Sequence, residues 1–182
     1  LALALTPLIP REKLETELEN YPLWFTTKLQ QQLRSKLGLE EAHEEDADLF
    51  RSLFSVLEQG QVDMTPFFRA LSRYDGERNA LLSLTLEPET LNGWLERYDA
   101  RLAHNRLQTS ERHVRMLRVN PKYVLKNYLL QEAIVRAEKD DFSLLNDLLR
   151  IARSPYDEHP GFERYALPTP HHCTNLQLSC SS

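Results

Sequence analysis

Glycine is scarce in this sequence: five residues in 182, at positions 38, 60, 76, 93 and 161. No two are spaced as GxGxxG or GxxxxGK[ST], so the chain has no glycine-rich loop of the kind that cradles phosphates. Cysteine is scarcer still, with only Cys173 and Cys180, too few for a disulfide framework and in keeping with a reducing compartment. The longest apolar run, Leu1 to Leu5, falls far short of the roughly 20 residues that a spanning helix needs. This excludes a membrane partner through such a helix. Charge of one sign is also lacking: 22 Lys and Arg stand against 27 Asp and Glu, for a formal charge of −5. That mild acidity argues against nucleic acid as a partner.

What is present is ordinary globular composition, with 41% hydrophobic and 27% charged residues. A chain of this length fits one domain and can bury about 70% of its unfolded surface. Leu1–Leu5 has no basic segment before it and so lacks the marks of a signal peptide. It reads as the last turn of a helix cut from a longer protein.

Helix signals recur along the chain. Pro22 suits a first-turn position, with Phe25, Leu29, Leu33 and Leu37 following at steps of four and Gly38 as the stop. Asp46 and Asp48 precede an apolar run that Gly60 ends, and Thr65-Pro66 reads as a cap and first helical residue. Pro88 opens a helix with Leu91, Trp94, Leu95, Tyr98 and Leu102 on one face. Pro121 is expected to start a mostly buried helix containing Val124, Tyr128, Ile134 and Val135, and Asp141 to cap the next one. No segment alternates long enough to argue a strand. The expected fold is therefore all-α, an irregular array of seven or eight helices over residues 1–154. A Pro-rich, extended tail over residues 155–182 should lie across the helices or be partly mobile.

Chemistry-bearing clusters are few. Glu40 to Asp48 holds six acids in nine residues. Without EF-hand spacing it reads as a solvated loop between helices. Arg101 to Lys126 carries seven cations against Glu111 alone. It lacks the interleaved aromatics of single-strand binders and reads as a solvated face or a surface turned toward a missing part of the protein. His171, His172, Cys173 and Cys180 are soft ligands without zinc spacing. His104 and His113 read as surface residues. Asn120, preceding Pro121, should break from the segment before it and cap the next helix, while Asn127 and Tyr128 are candidates for buried hydrogen bonds that fix packing.

The stretch Arg118-Val119-Asn120-Pro121-Lys122-Tyr123-Val124-Leu125-Lys126-Asn127-Tyr128-Leu129 resembles a signature of the selenoprotein O family. The likeness continues through Gln131–Ile134 and Ala137–Ser143. It resumes at Arg153–Asp157, at Leu178–Ser182 and, upstream, at Phe68-Arg69-Ala70-Leu71-Ser72. Asn120, Pro121, Tyr123, Asn127 and Tyr128 match it as structural residues. The resemblance implies a kinase-like protein that binds ATP in a flipped orientation, with Mg2+ or Mn2+, and transfers AMP to hydroxyl side chains of protein substrates. That family's nucleotide pocket and metal ligands lie upstream of Leu1, so no catalytic, cofactor or metal residue is expected in this chain. Its expected partner is the missing kinase-like part, and this chain alone should be inactive. The resemblance also implies a redox-sensitive thiol at Cys180, free or paired with Cys173 or an upstream cysteine; an inert tail thiol is the alternative. His172-Cys173-Thr174 departs from the Trp-Gly-Lys that often precedes this ending. A bacterial member would be cytoplasmic, and eukaryotic relatives are mitochondrial. The rival expectation is a non-catalytic helical module that docks a protein through Arg101–Lys126.

Overall fold

Helix α1 runs from Arg11 to Leu37 and ends where Gly38 adopts a left-handed φ of 66°. A side chain there would be strained, and an added Cβ would lie 2.6 Å from Met116 Sδ and 2.7 Å from Arg112 Cγ. Glycine thus lets the end of α1 sit directly on a later helix. A computed structural model describes residues 2–173 together with Leu176 and Leu178. Along it follow α2 (Asp46–Gln59), α3 (Met64–Leu71), α4 (Asn79–Leu82), α5 (Pro88–Leu102), α6 (Thr109–Val119), α7 (Asn127–Ala137) and α8 (Ser143–Arg153). Short 3-10 turns cover Ala2–Leu5, Glu163–Ala166 and His171–Cys173. Among the described residues there is no strand, and the all-α expectation holds with eight helices.

Several boundaries differ from expectation. Pro22 lies inside α1 rather than at its start. The helix extends eleven residues further toward the N-terminus, where Arg11 pairs with Glu15 one turn on. One proline removes one hydrogen bond, and the helix continues through it. The cap of α3 is Asp63, whose carboxylate accepts from Thr65 N at 3.1 Å, two residues before the expected cap. Residues 121–126 form no helix; α7 begins at Asn127, because Lys122 N and Tyr123 N both donate to Pro155 O instead (2.8 and 3.1 Å). Only Leu129 and Ala133 of α7 are buried, while Val124, Ile134 and Val135 are exposed. Asp141 accepts from Ser143 N at 3.0 Å, at the start of α8.

The core has two parts. The larger joins α1 to α6 through Leu37, Leu53, Phe67, Leu71, Leu95, Tyr98 and Met116. Trp94 stacks on Tyr98 at 5.2 Å. Their polar ends are satisfied by backbone: Trp94 Nε1 donates to Leu49 O (3.0 Å) and Tyr98 Oη to Leu37 O (2.6 Å). The smaller core joins α7, α8 and the segment after Ser154 through Tyr123, Leu129, Leu144, Leu148, Ile151 and Tyr165. The chain beyond Ser154 is therefore no mere arm: Tyr165 is buried and its hydroxyl donates to Asp147 at 2.6 Å.

Candidate functional site at the Asn120–Pro121 junction

The two cores meet at Asn120. It closes α6 in extended geometry (φ −109°, ψ 102°), as a residue before proline must, and it is fully buried. Instead of capping α7, its side chain turns back into the larger core. Nδ2 donates to Lys36 O (2.8 Å) and Ser72 Oγ (3.0 Å), and Oδ1 accepts from Lys36 Nζ (3.2 Å). Ser72 Oγ in turn donates to Phe68 O at 2.7 Å. One amide thus ties together the ends of α1, α3 and α6. Lys36 sits over the Phe68 ring at 5.2 Å, and burial lowers its pKa from the ordinary lysine value.

Arg69 completes the junction from α3. Nη1 donates to Leu117 O (3.2 Å) and Asn120 O (3.0 Å); Nη2 donates to Tyr156 O (3.1 Å) and to Glu158 Oε1 (2.8 Å). Two of these carbonyls end α6 and would otherwise lack partners, which a guanidinium fork serves well. Glu158 also accepts from Arg73 (2.6 Å) and Lys122 (2.6 Å). Hydrogen bonds from Lys122 and Arg69 hold its carboxyl down at about 2. Nearby, Lys126 Nζ binds Asp63 Oδ2 at 2.7 Å and Leu167 O at 2.5 Å, and Thr169 N donates to the same Asp63 oxygen at 3.3 Å. Tyr123 meets the His159 ring at 5.3 Å. Asn127 is exposed, where its amide donates to Leu176 O at 3.0 Å, and Tyr128 packs half-buried against the smaller core. The expected buried hydrogen bonds of Asn127 and Tyr128 are therefore replaced by those of Asn120.

The basic stretch is only partly a solvated face: Arg106, Arg115 and Arg118 are exposed, while its other cations turn inward. Arg101 is buried against Asp46 (2.7 Å) and grips Glu41 O (2.6 Å). Arg112 is buried and donates to Tyr74 O at 2.5 Å. Arg115, Lys122 and Lys126 pair with Glu111, Glu158 and Asp63. The acidic run is likewise only partly solvated: Asp46 is buried, and Glu40 accepts from Arg106 N (2.5 Å) and Leu107 N (2.9 Å). His104 and His113 lie on different elements. His104 meets His43 ring to ring at 5.0 Å, and His113 Nε2 lies 2.9 Å from Tyr74 O.

The residues that sequence reasoning left without a role are Arg69, Ser72, Lys36 and Glu158. Arg69 and Ser72 sit in the familial Phe68–Ser72 stretch, spaced three apart on one helical face, which was the available signal. Among the described residues no group of three His, Cys, Asp or Glu is placed to hold a metal ion, and Cys173 is a free thiol. The junction's cations are already engaged by carboxylates and carbonyls. This arrangement locks helices together. Cys180 lies outside the described residues. No helix among the described residues is long and apolar enough to cross a membrane.

The sequence model of the protein adenylyltransferase SelO family matches residues 1–153. Among similar proteins, the protein nucleotidyltransferase YdiU of Myxococcus xanthus is 42% identical over 183 residues, covering 98% of this chain and 38% of the relative. The protein of the same name from Aliivibrio fischeri is also 42% identical, over 100% of this chain and 38% of its own length. The Vibrio cholerae protein is 41% identical, over 100% of this chain and 39% of its own. The chain thus spans about two fifths of the length of these relatives. It belongs to the SelO family of protein adenylyltransferases.

Proposed function

We propose that this chain is the helical region of a SelO-type protein adenylyltransferase, which moves AMP from ATP onto hydroxyl side chains of protein substrates, in the cytoplasm if the source is bacterial. The observation that carries this reading is the family match over residues 1–153 together with identity near 40% across the whole chain to proteins named as nucleotidyltransferases. ATP and the Mg2+ or Mn2+ of the reaction belong to the part of the relatives' length that this chain does not span. Among the described residues there is no group of three metal-ligating side chains, and no step of the transfer is assigned to them. Their part is mechanical. Nucleotidyl transfer depends on phosphates, metal and acceptor held in register. A helical mass cross-tied by Asn120, Arg69 and Glu158 is a stiff support for such a centre.

AMP transfer by the family-length protein, with and without residues 1–182, tests this reading: loss of transfer on removal is expected, and undiminished transfer overturns it. Calorimetry on the chain alone should give no micromolar binding of Mg-ATP. The rival reading, a protein docked through Arg101–Lys126, would have to use Arg106, Arg115 and Arg118, since Arg101, Lys122 and Lys126 are held in internal pairs. The family resemblance adds a redox-sensitive Cys180. Alkylation of that thiol faster than that of a free thiol supports the assignment, and an ordinary rate removes it.

A further inference from the structure

Burial along α1 is lopsided. Its last turns are embedded, with Leu33 and Leu37 buried, but the first half is exposed except at Leu14, which is half-buried. Leu18 is 55% exposed, Tyr21 59%, Leu23 68%, Trp24 52% and Phe25 53%. At 100° per residue, Leu14, Leu18, Tyr21, Phe25 and Leu29 form one stripe, whereas Leu23 and Trp24 project to other sides. Residues 21–25 are therefore apolar around most of the helix, the pattern of an element enclosed by its surroundings. The stripe runs into a groove of about 340 Å3 whose walls include Leu29, Phe54, Met64, Phe68 and Val124.

We infer that residues 14–29 of α1, with this groove, form a docking core for the portion of the family-length polypeptide that this chain does not span. The inference rests on the proposed reading that the chain works within such a polypeptide. Two observations select this occupant. Length is the first: the relatives carry about three fifths of their residues outside the matched region. The second is the spread of apolar side chains around the helix. A second copy related by a two-fold axis would cover one stripe and leave Leu23 and Trp24 in water. A lipid surface is disfavoured because Glu12, Glu15, Glu17 and Glu19 outnumber Arg11 and Lys13 beside the stripe, and amphipathic membrane helices are rich in cations. The complementary surface would be an apolar slot with a basic rim.

The test uses the longer protein encoded by the same reading frame. Single cysteines replace Leu23, Trp24 and, as an exposed control, Glu77, and maleimide labelling is followed site by site by mass spectrometry. L23C and W24C should react on the order of 100-fold more slowly than E77C, as expected for side chains reached only by local opening. Equal rates overturn the inference. Protection that disappears on dilution from dimer to monomer also overturns it and gives the face to a second copy. Should the variants fail to fold, hydrogen exchange on the unsubstituted protein decides: amides of 14–29 should exchange as slowly as those of α5, and fast exchange overturns the claim. A reading frame that adds no region of family length does so too. AMP transfer is measured on the same preparations. Protection without transfer leaves the docking intact and removes the enzymatic reading; transfer without protection does the reverse.

Discussion

Asn120 matters because every polar group it owns is matched inside a dry environment. Replacing it by Ala strands Lys36 O and removes the bonds to Lys36 Nζ and Ser72 Oγ, so a loss of about 2–3 kcal/mol in urea unfolding is expected. Glu158 gives a pH signature. Its carboxyl, about 2 in the folded protein against an ordinary 4.5, binds protons less readily when folded. Its stabilisation is therefore full above about 4.5 and fades as pH falls through that window toward about 2. Because the side chain is half exposed, solvent screens the effect, and E158Q should cost only about 1 kcal/mol at pH 7. The gap between wild type and E158Q in thermal unfolding should close as pH approaches 2. A gap that persists unchanged at that pH would place the stabilisation elsewhere than in the charge.

Among the elements, the loop before α2 shows how a buried ion pair organises backbone. Arg101 of α5 holds Asp46 and the Glu41 carbonyl together, with both side chains almost wholly enclosed. Asp46→Ala leaves a buried guanidinium uncompensated and should cost about 3–5 kcal/mol, while Asp46→Leu combined with Arg101→Met should recover most of that in the same urea titration. This pair also shows where sequence reading stops. Local signals, such as Pro88 at the head of α5 and Gly38 after α1, were legible because cap and breaker chemistry acts over a few residues. The buried fate of Asp46 within an acidic run was not, because its partner lies 55 residues away. The same holds for the start of α7. Pro121 is an acceptable helix opener, but Pro155 O draws the next two amides away from a helical turn. At the junction, the break before Pro121 could be read, and the partners of Asn120 could not, since they lie 48 and 84 residues upstream.

At the scale of the whole molecule, Arg69 makes the most extensive of the side-chain links between the two cores, beside those of Arg73 and Asp63. Arg69 reaches the end of α6 and the Tyr156–Glu158 turn at once. Arg69→Met should cost about 2–4 kcal/mol by leaving those carbonyls unpaired. It should also uncouple the cores, so that the near-ultraviolet signal of Trp94 and hydrogen exchange in α8 no longer report one common transition. Coincident transitions in the variant would mean that the cores are joined mainly by other contacts. Arg69 has a further consequence during synthesis. The ribosome makes it 87 to 89 residues before Tyr156 and Glu158. At bacterial or eukaryotic elongation speeds that is a wait of about 4 to 18 s. For that interval the nascent chain carries a folded-length first half whose guanidinium has no acceptors from the second, a window in which a chaperone or a wrong partner meets the seam before the chain's own C-terminal half arrives.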